Sequence, residues 1–188
     1  MLYLYSLGIY IYGVILQFAS YFDPKAKLLI LGREQSISVV KSIKSKYPDS
    51  KWIWIHAASL GEFEQGRHLI DRISADYSHY KIALSFYSPS GYVPKQNYHN
   101  ADMVFYMPLD TAYNANELID TLSPHLAIFI KYDFWWNHLK ALQSKSIPTV
   151  FISTMIRSDQ YFIKNSLGSI RSILSSVNHY YVQTQKSA

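Results

Sequence analysis

A chain of 188 residues is long enough to bury one sizeable core, and its composition is that of a globular α/β protein with an excess of Tyr and other aromatics. No Cys is present, which excludes disulfides, thiolate zinc sites and a cysteine nucleophile, and the seven His form neither H-x-x-x-H nor H-E-x-x-H spacing, so a metal site has no support. The formal charge of +5 suits an anionic surface or a phosphorylated ligand, but Lys and Arg are scattered and form no basic helix or aromatic RNA-binding motif, so no nucleic-acid partner is expected.

In chain order, the first element is Met1 to Phe22, which has no charged side chain and is followed by Asp23, Lys25, Lys27 and Arg33. At about 1.5 Å per residue it is just long enough to cross a hydrocarbon core of about 30 Å, although Ser6, Gln17, Ser20 and several Tyr make it less apolar than an ordinary span. A membrane-anchor helix is expected over 1–22, either spanning or lying in the interface, with a buried core helix as the bland alternative. The basic residues that follow place the remainder of the chain in the cytoplasm. Residues 23–50 read as a linker and an amphipathic helix near Glu34 to Tyr47, with Ile37, Val39, Val40 and Ile43 as its apolar positions.

From Trp52 onward strand-like and helix-like segments alternate, which predicts a parallel sheet and a Rossmann-like α/β domain over 51–188. Strands are predicted at 52–58, 81–86, 103–107, 126–130, 149–152 and 180–182, and helices near 63–74, 114–122, 134–143 and 162–175. In such sheets ligands bind beyond the carboxyl ends of the strands. Four strand ends gather there, the third followed by the Pro108-Leu109-Asp110 loop. After the first strand come Ser59, Gly61 and Glu62, a lone carboxylate at a strand-to-helix turn and hence a general-base candidate; a Glu in a first helical turn is also favoured by the helix dipole alone. After the second come Ser88, Pro89, Ser90 and Gly91, whose hydroxyls and N–H groups near a possible helix start suit a phosphate or a sugar, or form only a turn. After a very apolar fourth strand, Lys131 and Asp133 present opposite charges, with helix capping by Asp133 as the local alternative. Arg157 and Arg67 are candidate anion contacts or ordinary surface charges.

Several chemistries lack their motifs. No G-x-G-x-x-G follows the first strand and no G-x-x-x-x-G-K-[ST] exists anywhere, so dinucleotide and P-loop sites are not expected. No Gly precedes Ser59 by two residues, so the turn is not a nucleophile elbow.

Taken in order, H-A-A-S-L-G-E (56–62), the Ser-Pro-Ser-Gly loop, Y-M-P-L-D (106–110), P-H-L-A-I-F (124–129) and K-Y-D-F-W-W-N (131–137) resemble the 3-deoxy-D-manno-octulosonic acid (Kdo) transferases. The resemblance runs along the whole chain and implies the N-terminal domain of a GT-B glycosyltransferase that transfers Kdo from CMP-Kdo to lipid A precursor in lipopolysaccharide core biosynthesis. It implies inverting, metal-independent chemistry with no cofactor beyond the donor substrate CMP-Kdo. Lipid A precursor is the implied acceptor, and the cytoplasmic face of the inner membrane the implied location. Glu62 matches the family's catalytic base. Lys131 falls at a position assigned to transition-state stabilisation, where many members have Glu; Asp133 is shorter than their second Glu, and Trp136 replaces their Pro. Ser59, Gly61, Ser88, Ser90, Gly91, Asp133 and Arg157 are the expected substrate-binding residues. Members carry a second Rossmann-like domain that holds most of the CMP-sugar site. The expectation is therefore an acceptor-side half, with the donor domain absent and no turnover in isolation, or else a non-catalytic membrane-associated lipid- or acceptor-binding fragment.

Overall fold

Trp52, Trp54 and His56 turn to one face of the first strand and Ile53, Ile55 and Ala57 to the other, and both faces are buried. That two-sided burial is what a central parallel strand requires. The computed structural model describes residues 2–131, 133–154 and 168–183. Within them, β1 (Lys51–Ala57), β2 (Tyr80–Phe86), β3 (Met103–Tyr106), β4 (Leu126–Ile130), β5 (Thr149–Thr154) and β6 (His179–Val182) form one parallel sheet in the order β3-β2-β1-β4-β5-β6. This is a Rossmann-type order with its switch point between β1 and β4.

The helices are α1 (Leu2–Ala19), α2 (Pro24–Lys44), α3 (Leu60–Asp76), α4 (Pro89–Lys95), α5 (Ala112–Leu122), α6 (Trp136–Ser144) and α7 (Gly168–Ser175). One core layer joins Trp52, Trp54, Phe105, Phe129 and Phe151 to Val40 of α2, Leu118 of α5, Leu139 of α6 and Ile173 of α7. The opposite layer packs Ile55, Leu84, Phe86 and Ile130 under Phe63, Ile70 and Ile73 of α3. Close approach of α3 to β4 depends on Gly66, where any Cβ would strike the Ile130 side chain.

The strands fall within two residues of their expected ends. One helical expectation is corrected. α2 begins at Pro24 rather than near Glu34, because Asp23 caps it by accepting from the Lys25 N–H and Pro24 opens the first turn. The helix start considered at the Ser-Pro-Ser-Gly segment is present: α4 begins at Pro89, with Ser88 as its cap. The start of the helix expected at 162–175 lies outside the described residues.

α1 packs on α2. It is held to the domain by the Tyr5 hydroxyl, which donates to Asp110 at 2.5 Å. Its other side is bare: Leu4, Leu7, Ile11, Ile15 and Phe18 are all more than half exposed, so the buried-core alternative fails. The spanning form of the anchor is also unsupported, since no described helix is long and apolar enough to cross a membrane.

Candidate functional site

β2, β1 and β4 lie side by side, so the turns that follow them meet at one edge of the sheet. Ser59 is the N-cap of α3 in extended backbone, with Gly61 and Glu62 in the first helical turn. Glu62 turns back and accepts the Ala58 N–H on Oε2 at 2.6 Å, close to the reciprocal half of a capping box. The Ala58 carbonyl accepts the Ser88 N–H at 2.9 Å, which ties the β1 turn to the β2 turn. Ser88 and Ser90 spend their hydroxyls locally: Ser88 Oγ accepts from the Ser90 N–H at 3.2 Å, and the two hydroxyls lie 2.9 Å apart. Gly91 is buried against the Phe86 ring, with no room for a Cβ.

Across the switch point, Lys131 and Asp133 occupy the turn after β4. Asp133 and Glu62 confront each other. Burial first, then the negative charge of Glu62 and a hydrogen bond to it, push the Asp133 carboxyl up to about 7, against the opposing pull of Lys131. Asp133 Oδ2 is buried without a hydrogen-bond partner. A like charge this close disfavours the ionised form of Asp133. Lys131 holds φ at 71°, a left-handed conformation that costs a residue with a Cβ about 1 kcal/mol or more. Its carbonyl accepts from Thr154 Oγ1 at 3.0 Å, and nearby Ser153 in β5 has φ of 53°. Backbone strain therefore gathers at the same edge as the carboxyl pair. The Glu62, Ser59, Gly61, Ser88, Ser90, Gly91, Lys131 and Asp133 positions are brought to one edge; Arg157 lies outside the described residues. Arg67 is half exposed and pairs with Glu64 at 3.0 Å in the next turn of α3.

Sequence reasoning missed what lies beneath this edge. His56, fully buried, contacts Ser85 Oγ through Nδ1 at 2.9 Å and accepts from Trp135 Nε1 on Nε2 at 3.0 Å. Desolvation drives its pKa down to about 3, with His138 acting in the same direction, so it is neutral. Trp135 stacks on Tyr87 at 4.5 Å between centroids, and Tyr87 lies under the Arg33 guanidinium at 4.1 Å. Asp110, also fully buried, caps α6 from a distant loop: its carboxylate accepts the Asn137 and His138 N–H groups at 3.2 and 2.9 Å and meets His138 Nδ1 at 2.5 Å. The Pro108-Leu109-Asp110 loop was expected at this edge of the sheet, but not the capping of α6 by Asp110.

The comparisons with known proteins agree in kind. The profile of the family described as 3-Deoxy-D-manno-octulosonic-acid transferase (kdotransferase) matches residues 31–188. A 3-deoxy-D-manno-octulosonic acid transferase of Haemophilus influenzae is 28% identical over 110 residues, covering 58% of this chain and 26% of that protein. A bifunctional glycosyltransferase/methyltransferase of Fusobacterium nucleatum is 23% identical over 145 residues, covering 75% of this chain and 22% of that protein. The chain thus spans about a quarter of the length of these relatives. A Listeria monocytogenes crystal structure described as a UDP-N-acetylglucosamine 2-epimerase shares the fold alone, with a TM-score of 0.52 and 8% identity over 73% of this chain and 40% of that one.

Proposed function

The chain belongs to the 3-deoxy-D-manno-octulosonic acid (Kdo) transferase family, and from that premise we propose that it is the acceptor-side half of a glycosyltransferase moving Kdo from CMP-Kdo to lipid A precursor. The observation that carries this reading is the placement of Glu62 beyond the central strand, across the switch point from Lys131 and Asp133. Glu62 removes the proton from a primary hydroxyl of the acceptor as that oxygen attacks the anomeric carbon of Kdo and CMP departs, in an inverting transfer that uses no metal. A hydroxyl is far too weak an acid to ionise beforehand, so the base acts as the bond forms, a contribution of roughly 100- to 10,000-fold. The Ala58 N–H fixes the carboxylate in place for this task. Lys131 supplies positive charge toward the departing phosphate, but as a donor only it does not take over the hydrogen-bond acceptance of the Glu found at this position in many members.

The exposed apolar side of α1 lies in the interface of the cytoplasmic leaflet, which keeps the cleft at the level of a lipid-borne acceptor. The donor nucleotide is held by a second Rossmann-like domain. A lipid A precursor binding assay paired with a CMP-Kdo transfer assay tests the reading. Residues 1–188 alone should bind acceptor without turnover, and transfer should follow when the donor half is supplied. Failure to bind acceptor, or binding with no transfer in the presence of a donor half, would reject it, the latter in favour of a non-catalytic acceptor-binding protein.

A further inference from the structure

His56 lies in β1, six positions before Glu62, and is completely buried. A buried polar ring is tolerated when its nitrogens are paired, and here the pairing has a direction. An indole N–H is a donor only, so the 3.0 Å contact from Trp135 Nε1 makes His56 Nε2 an acceptor. The neutral ring therefore carries its proton on Nδ1, which donates to Ser85 Oγ at 2.9 Å. Ser85 Oγ is fixed in turn by accepting from Trp54 Nε1 at 2.8 Å. One rigid ring thus bridges β2 and the segment after β4.

That segment carries Asp133. At its start, the Lys131 N–H donates to the Ile152 carbonyl at 2.8 Å, and the Lys131 carbonyl accepts from Thr154 Oγ1 at 3.0 Å, so this end is fastened to β5. At its other end, Trp135 donates its backbone N–H to the Asp133 carbonyl at 3.1 Å and its indole N–H to His56. The φ of 71° at Lys131 persists only where the surroundings hold it. Phe134 packs on Phe151 at 5.2 Å between centroids, and Tyr87 stacks on the Trp135 indole at 4.5 Å. A stack sets the plane of a ring and leaves it free to slide within that plane; the directional bond to His56 removes this freedom. We propose that His56 is a positioning residue for this edge: as acceptor of the Trp135 indole N–H it sets the course of the turn after β4 and so holds Asp133 against Glu62. Its consequence for turnover rests on the transfer reading, while its effect on the two carboxyl groups does not. A turn free to shift would leave Lys131 and Asp133 aligned with Glu62 in a smaller share of molecules.

NMR of the isotopically labelled chain tests both the ring and the turn. Long-range proton–nitrogen correlation at neutral pH should show His56 protonated on Nδ1 and bare on Nε2; the opposite tautomer would overturn the proposal. Asp133, which faces Glu62 and Lys131, should titrate at about 7 in the native chain. Its midpoint should fall by about one unit or more in His56→Phe, which cannot accept the indole N–H, and in Trp135→Phe, which cannot donate it. His56→Gln, whose amide oxygen takes the place of Nε2, should keep the native value. Trp135→Phe, at a half-buried position, decides the matter if circular dichroism finds His56→Phe unfolded. A midpoint unmoved in a folded Phe variant, or equally lowered in folded His56→Gln, would refute the positioning role. In the full-length protein carrying this domain, His56→Phe should lower kcat for Kdo transfer roughly 10- to 100-fold with the acceptor KM little changed, and His56→Gln should restore most of it. A native kcat in His56→Phe would refute the consequence for turnover. Absence of transfer by the native protein would instead reject the transfer reading and leave the titration result standing.

Discussion

At Asp133, burial and the facing Glu62 carboxyl act in the same direction, and the consequence for stability follows from linkage. The folded group titrates at about 7, above its unfolded value near 4. A raised folded pKa gives a contribution that is complete below about pH 4 and lost as the pH rises through about 7. Asp133→Asn, which keeps the shape and removes the charge, should therefore leave the thermal midpoint unchanged near pH 4. It should raise the midpoint progressively toward pH 7, with a constant gain above; a pH-independent difference would mean that the carboxyl pair does not form. Lys131 offers a second separation of roles. Relief of its φ of 71° should make Lys131→Gly more stable by up to about 1 kcal/mol in denaturant unfolding, while the loss of its charge lowers transfer. Glu62 was legible in the sequence as a carboxylate after an apolar run. Its partnership with Asp133, 70 intervening positions away, was not, because it depends on β1 and β4 being neighbours, which only the sheet order decides. His56 escaped for a similar reason, since its burial comes from Trp135 and Ser85, both distant in sequence.

Among the elements, α6 is unusual in taking its N-terminal cap from another part of the chain, Asp110, which also receives the Tyr5 hydroxyl of α1. Asp110→Ala would orphan two buried N–H groups and His138, at a cost of about 3 kcal/mol or more in equilibrium unfolding. Tyr5→Phe removes only the link to α1 and should cost about 1 kcal/mol, with faster amide exchange confined to α1; faster exchange in α6 as well would mean that α1 supports the core. The strands were legible because an aliphatic and aromatic run bounded by turns has one reading when both faces are covered. The start of α2 was present as Asp23-Pro24, a capping residue followed by Pro at N1, and Gly32 lets α2 lie against the Tyr106 ring. α4 contains Pro94 and opens with Ser-Pro-Ser-Gly, a composition that favours a turn, and the Ser88 cap together with packing of Gly91 on Phe86 overrides it.

At the scale of the whole molecule, a parallel sheet with its switch point between β1 and β4 presents the Glu62 edge, and α1 presents an apolar face alongside. With the formal charge of +5, that face predicts co-flotation of the chain with vesicles containing phosphatidylglycerol, reduced by Phe18→Asp and by high salt; equal recovery with native and substituted α1 would remove the interfacial role. The measurement that bears most directly on the central claim is transfer of Kdo from CMP-Kdo to lipid A precursor by the full-length protein carrying this domain, with and without Glu62→Gln, alongside acceptor binding. Glu62 acting as the base predicts a loss of at least about 100-fold in transfer with acceptor binding and the unfolding midpoint retained; transfer that survives in Glu62→Gln would contradict it.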